Sequence, residues 1–267
     1  MLLAAVALPG YAHAQAIRLP VKLHVQEHSL SCEIATLKMA LSVHGLIVSE
    51  NDLISRLAFD PTPKGTGVWG DPSKGFVGSI DGRMLVTGYG VYAPPIAQVG
   101  NAYASAELLR NGSAGQLARH IAAGNPVIIW GHYGQRLNVF GWHTREGTPV
   151  RAVDGEHTRL VYGFDGPVQS PTRFYLVDPV TGAFSWSTDE LMRNWSSLDY
   201  IGVVVSPQRQ WVREAGDTQI WEIDTKRATR RWITSWQAFV HRGGSAAAVA
   251  PITRAKLLQY TLGSPIN

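Results

Sequence analysis

Cys32 is the only cysteine among 267 residues. It directly precedes an apolar-periodic stretch, with Ile34, Leu37 and Leu41 at helical spacing and Met39, Ala40 and Val43 widening the buried face. A thiol is a nucleophile only as the thiolate, and an ordinary cysteine is mostly protonated near neutrality. The start of a helix lowers that barrier, because its open amides and partial positive charge lie beside the sulfur. An imidazole from elsewhere must take the proton. Of nine histidines, His157 has the most suitable setting, at the opening of a β-rich run after a polar loop. Asp178 closes the next such run, directly before Pro179. If those two strands pair antiparallel, Asp178 lies beside His157 and fixes its tautomer and orientation. Gln26 offers a side-chain amide which, with the Cys32 backbone N–H, can bind the oxyanion of a tetrahedral intermediate. Taken singly, a cysteine at a helix start is often packing, a histidine a strand cap and an Asp-Pro a turn. The order Gln, Cys-helix, His-strand, Asp at a strand end is what points to acyl transfer.

The elements around these residues follow from pattern. Residues 32–44 read as a helix closed by Gly45. Ser49 caps a second helix with acids in its first turn. Residues 60–100 are dense in Gly, Pro and aromatics, which predicts long ordered loops lining a cleft. Residues 116–123 form a short helix. Strands are expected at 126–131, 157–164, 174–177, 183–186 and 200–205, with a helix opening at Ser187-Thr188-Asp189-Glu190. Helices first and strands afterwards give an α+β class.

The residues then resemble a known family. Val25-Gln26, Ser31-Cys32-Glu33-Ile34-Ala35 and Met39-Ala40-Leu41 look like the nucleophile segment of papain-like cysteine peptidases of the bacteriocin-processing type, the peptidase C-thirty-nine-like group. Trp69-Gly70-Asp71-Pro72, Phe76-Val77-Gly78, Gly124-Asn125-Pro126-Val127-Ile128, Gly155-Glu156-His157-Thr158 and Val177-Asp178-Pro179 extend the likeness over residues 23–205. The resemblance implies a papain-like fold of N-terminal helices packed on an antiparallel sheet. It gives Cys32 as nucleophile, His157 as general base and acid, Asp178 as its orienter and Gln26 as oxyanion donor. Trp69, Asp71, Phe76 and Gly78 are expected to bind a peptide or protein substrate. Transporter-linked members carry Gly after the nucleophile, where this chain has Glu33. No Gly-x-x-x-x-Gly-Lys-Ser/Thr loop is present, so cleavage of a double-glycine leader is not implied. A non-catalytic cell-envelope binding protein on the same fold is the alternative reading.

Composition sets the remaining bounds. Hydrophobic residues make up 45% and charged residues 16%, enough for one core plus a small appendage. No apolar run reaches the roughly 20 residues that a membrane-spanning helix needs. Residues 1–14 are apolar and end Ala12-His13-Ala14, which resembles a secretory signal without its basic start. The expected location is therefore secreted or cell envelope, although an apolar tail of an internal protein has the same look. Ser206-Pro207 marks a boundary. Residues 20–205 are expected to form the peptidase domain, and 206–267 a small β-containing module with a short helix near 253–258. That module holds nine basic and four acidic residues, which suits an anionic cell-wall polymer or a solvated basic face. Its Trp211, Trp221 and Trp232 resemble a short repeat of exported envelope proteins. Phosphate-loop, nucleic-acid and metal-site spacings are missing, so neither a cofactor nor a metal is expected.

Overall fold

The computed structural model describes residues 16–134, 136–225, 227–242 and 244–267. The proposed signal at 1–14 lies outside the described residues. Five helices and one long sheet position the site: α1 (Cys32–Val43), α2 (Glu50–Ile54), α3 (Ala93–Gly100), α4 (Ala114–Ala122) and α5 (Thr188–Trp195).

The main sheet is antiparallel and seven-stranded. From one edge its strands run Gly182–Ser187, Arg173–Asp178, Glu156–Asp165, Val127–His132, Gly202–Ser206 and Ser105–Leu109, with Ile17–Arg18 also paired to Glu156–Asp165. Both faces are covered, and alternating side chains divide between them. Ile128, Trp130, Leu160, Val177 and Val203 pack with Ile34, Leu37 and Leu41 of α1 and with Ile96 of α3. Val127, Ile129, Val161, Phe164 and Phe174 pack with Leu117 and Ile121 of α4 and with Leu191 and Trp195 of α5. This is why Val127-Ile128-Ile129-Trp130 reads as an unbroken apolar run.

Local chemistry fixes the helix starts. Ser49 accepts the Asp52 amide at the head of α2. Ser187 and Glu190 form a reciprocal capping box on α5. Gly45 has φ +75°, as the left-handed residue that ends α1 requires.

Three expectations need correction. Residues 60–100 are not only loops: they hold the short strands Phe76–Gly78 and Gly88–Gly90 and the whole of α3. Pro94 and Pro95 fall in the first turn of α3, where a missing N–H costs nothing. The polar stretch before His157 is a hairpin, Val139–His143 paired with Pro149–Val153. Ser105–Leu109 is an additional edge strand.

Residues beyond 206 form a separate five-stranded sheet. Its two apolar clusters center on Phe239 with Ile233 and Ile266, and on Val212 with Ile223 and Leu257. Helices Trp236–His241 and Arg254–Leu257 accompany it.

Candidate active site

Cys32 is the first residue of α1, and α1 lies against the strand Glu156–Asp165. Thr36, one turn on, donates to the Cys32 carbonyl at 2.6 Å and meets Thr158 Oγ1 at 3.1 Å. These bonds tie the first turn of the helix to the residue after His157. Ser31 precedes the helix without capping it through its side chain. Its hydroxyl instead donates to buried Glu50 at 2.7 Å, so the N-terminal amides of α1 have no side-chain cap from Ser31.

Antiparallel pairing of Glu156–Asp165 with Arg173–Asp178 sets the start of the first beside the end of the second. His157 Nε2 and Asp178 Oδ2 are 2.9 Å apart. Asp178 Oδ1 accepts the Val180 and Thr181 amides at 2.8 and 3.1 Å. Arg159 Nε stands 3.0 Å from Asp178 Oδ2. With Nε2 committed to Asp178, Nδ1 is the imidazole nitrogen left to serve a substrate or thiol. The Tyr133 ring packs edge-on against His157, its centroid 4.5 Å away. Arg159 in turn lies over Tyr133 and Trp186. Tyr133 and Arg159 escape sequence reasoning, because only the sheet register shows that they brace the imidazole and carboxylate.

One cavity of about 180 Å³ is lined by Gln26, Cys32, Glu156, His157, Tyr133 and Val180, among others. The fold thus brings Gln26, Cys32 and His157 to one pocket, with Asp178 behind the imidazole. The Gln26 backbone N–H bonds the Pro179 carbonyl at 2.9 Å, which fastens this segment to the turn after Asp178. The Gln26 side-chain amide donates to the His28 and Ser29 carbonyls at 2.8 and 3.0 Å. Its Oε1 is buried with no hydrogen-bond partner among the described residues.

The thiol itself faces acids. Cys32 Sγ donates to Glu33 Oε2 at 3.4 Å, and no described hydrogen bond joins it to His157. Burial pushes the thiol up, and the charges of Glu33 and Glu156 add to that. Burial likewise raises both carboxyls, each of which is fully enclosed. Glu33 Oε1 accepts the Val91 amide at 2.7 Å, whereas neither Glu156 oxygen has a hydrogen-bond partner among the described residues. His157 is shifted down by burial, against the pull of Asp178.

Four further residues sit away from this pocket. Trp69 is buried against Trp142, ring centroids 5.4 Å apart, and with Gly78 borders another cleft beside Lys64. Phe76 is fully buried in the core. Gly78, at φ +80°, passes so close to Thr87 that a Cβ would stand 2.4 Å from its carbonyl oxygen. Asp71 borders a larger cavity of about 390 Å³ with Tyr92, Arg110, Arg151 and Asp199.

Comparison with known proteins agrees with this architecture. The chain is 32% identical over 180 residues to an uncharacterized protein of Bacillus subtilis (strain 168), YvpB, covering 65% of this chain and 68% of that one. A crystal structure described as a C39-like peptidase from Bacillus anthracis superposes with a TM-score of 0.61 at 24% identity, covering 72% of this chain and 98% of that chain. A helix-led sheet of this kind, and a family model matched across residues 18–202, lead to one assignment: the chain belongs to the Peptidase_C39 like family.

Proposed function

We propose that the protein is a cysteine peptidase in which Cys32, His157, Asp178 and Gln26 carry the reaction. The single observation behind this reading is that a thiol at a helix N-terminus and an imidazole backed by a buried carboxylate open onto one pocket. His157 Nδ1 takes the thiol proton, and the sulfur attacks the peptide carbonyl carbon. The oxyanion is received by the Cys32 N–H and by Gln26, once Gln26 exchanges one of its carbonyl partners. The amine leaves with the proton from His157, giving a thioester. Water then attacks, His157 accepting its proton and returning it to the departing sulfur. Because Sγ rests on Glu33, a side-chain rotation of Cys32 toward His157 precedes the first step.

The test is turnover of a peptide library by the full chain, together with iodoacetamide labeling of Cys32. Cys32→Ala should abolish hydrolysis. His157→Ala should lower the rate by roughly 10²–10⁴ and slow labeling. Labeling no faster than that of free cysteine, with no peptide cleaved, sinks the reading.

A second reading has its own support: the raised thiol and its bond to Glu33 suit a binding protein that keeps the fold without turnover. Inert Cys32 in the labeling experiment selects it. We further propose that residues 1–14 direct export and that basic residues 206–267 form a module holding the protein to an anionic wall polymer. Retention on wall material should then fall with added salt and vanish without 206–267.

A further inference from the structure

Three acidic ligand atoms converge beneath the Cys32 pocket. Sγ of Cys32 and one carboxylate oxygen each from Glu33 and Glu156 all lie within 4.8 Å of one another. The two glutamates are 0% and 3% exposed. Glu156 is aimed into this cluster with both oxygens lacking a hydrogen-bond partner among the described residues. Among the described residues, no ion pair from Lys, Arg or His reaches Glu33 or Glu156, and the adjacent Arg159 is paired with Asp178. The backbone gives way to let the carboxylates meet: a Cβ on Gly90 would lie 2.6 Å from Glu156 Oε2 and 2.7 Å from Glu33 Oε1. A buried, unpaired carboxylate beside a second one is costly without a positive partner.

We propose that Cys32, Glu33 and Glu156 form a binding site for a thiophilic divalent cation of the zinc class, and that the bound ion masks the thiol. Sulfur with two carboxylate oxygens suits zinc and cobalt, whereas magnesium demands an all-oxygen octahedron. In a tetrahedral zinc shell such atoms stand about 3.4–3.6 Å apart, so no pair has to close by more than roughly 1.4 Å. Binding forms the metal–sulfur and metal–oxygen bonds and releases to solvent the thiol proton together with any proton the two buried carboxyls hold. The N-terminal end of α1 favors the thiolate that results. Cys32 and Glu156 both border the pocket, which leaves the fourth coordination position for water on that side. A metal-loaded chain is then a reversibly silenced one, its sulfur unable to reach a carbonyl or His157.

The experiment is Co²⁺ titration of the chelator-treated full chain. One equivalent should give a sulfur-to-cobalt charge-transfer band in the near ultraviolet, displaced by Zn²⁺ and unaffected by Mg²⁺. The band should vanish in Cys32→Ser, and affinity should fall about tenfold or more in Glu156→Gln. Zn²⁺ should slow iodoacetamide labeling of Cys32, with chelator restoring it. A spectrum without the band, or equal affinity in Glu156→Gln, overturns the site and leaves the acids neutralized by protons alone. If Glu156→Gln does not fold, X-ray absorption of the zinc-loaded wild-type chain decides. One sulfur with oxygens supports the site; nitrogen and oxygen without sulfur rejects it and points to the His24, Glu27 and Glu50 cluster. None of these readouts requires peptide hydrolysis, so failure here and failure of the peptidase reading are told apart.

Discussion

Asp178 accepts from His157 and from two backbone amides while paired with Arg159, so its carboxylate is held in one place and one charge state. Burial opposes that charge. The hydrogen bond and charge of His157, the Val180 amide and Arg159 outweigh burial and hold the group at about 2, against an ordinary 3.8. A lowered folded value means stability that is present above pH 3.8 and disappears as pH falls toward about 2, on the order of 2 kcal/mol. Urea unfolding should therefore show wild type more stable than Asp178→Asn at pH 6, with the gap closing near pH 2. At neutral pH the same variant should lose roughly 10²–10⁴ in kcat, because Asn no longer fixes the imidazole tautomer. Gln26 makes a sharper test. If its amide joins the oxyanion, Gln26→Ala should cost about 10²–10³ in kcat with KM little changed. If it only braces the His28 and Ser29 carbonyls, melting temperature should drop and kcat should barely move. Cys32 stands out in the sequence as its only cysteine, while Gln26, His157 and Asp178 are common types that stand out only by their order and by their places relative to the expected helix and strands. Glu156 was not legible as a neighbor of Cys32, because a separation of more than a hundred residues is bridged only by sheet register.

At the scale of elements, the site depends on α1 keeping its register against the His157 strand. The buried Thr36–Thr158 contact is the polar lock between them, set within the apolar packing of Ile34 and Leu37 against Leu160. Thr158→Val keeps the shape and removes the hydroxyl. It should cost about 1 kcal/mol of unfolding free energy and change the labeling rate of Cys32, with circular dichroism unchanged. An unaltered labeling rate would show that apolar packing alone sets the register. The helices α1, α2 and α5 were legible because each carries at least one strong local signal: the apolar period and the Gly45 stop for α1, and the N-caps Ser49 and Ser187 for α2 and α5. The helix α3 was hidden by its own sequence, Ala-Pro-Pro at one end and Gly at the other, which reads as turn. Only packing of Ile96 and Val99 into the core reveals it. The hairpin at 139–153 was obscured for a related reason. Its exposed positions Arg151 and His143 break the apolar signal, while Trp142 and Val150 face inward.

Across the whole molecule, the clusters that stabilize residues 206–267 contain no side chain from the main sheet. Ser206-Pro207 marks this boundary in the sequence, but the tryptophans of the segment are a poor guide to its core, since Trp232 and Trp236 are 36% and 59% exposed, and no pattern shows which charge that core encloses. Glu222 is 2% exposed and meets Arg242 through two bonds, 2.9 and 3.1 Å, with Arg231 at 3.9 Å. Taking away the principal partner of an enclosed carboxylate costs far more than a surface pair is worth, typically about 3–5 kcal/mol. That figure is a large share of what a sheet of this size can supply. Arg242→Ala should therefore loosen the C-terminal sheet first, seen as rapid amide exchange in the paired strands Arg209–Glu214, Ile220–Asp224 and Thr229–Ile233 and early proteolysis near 215–219. The main sheet, with its own two-sided core, should keep slow exchange and an unaltered rate of Cys32 labeling. Simultaneous loss of both regions in one cooperative transition would mean that the two sheets stabilize each other. The basic segment would then support the Cys32 pocket rather than ride beside it.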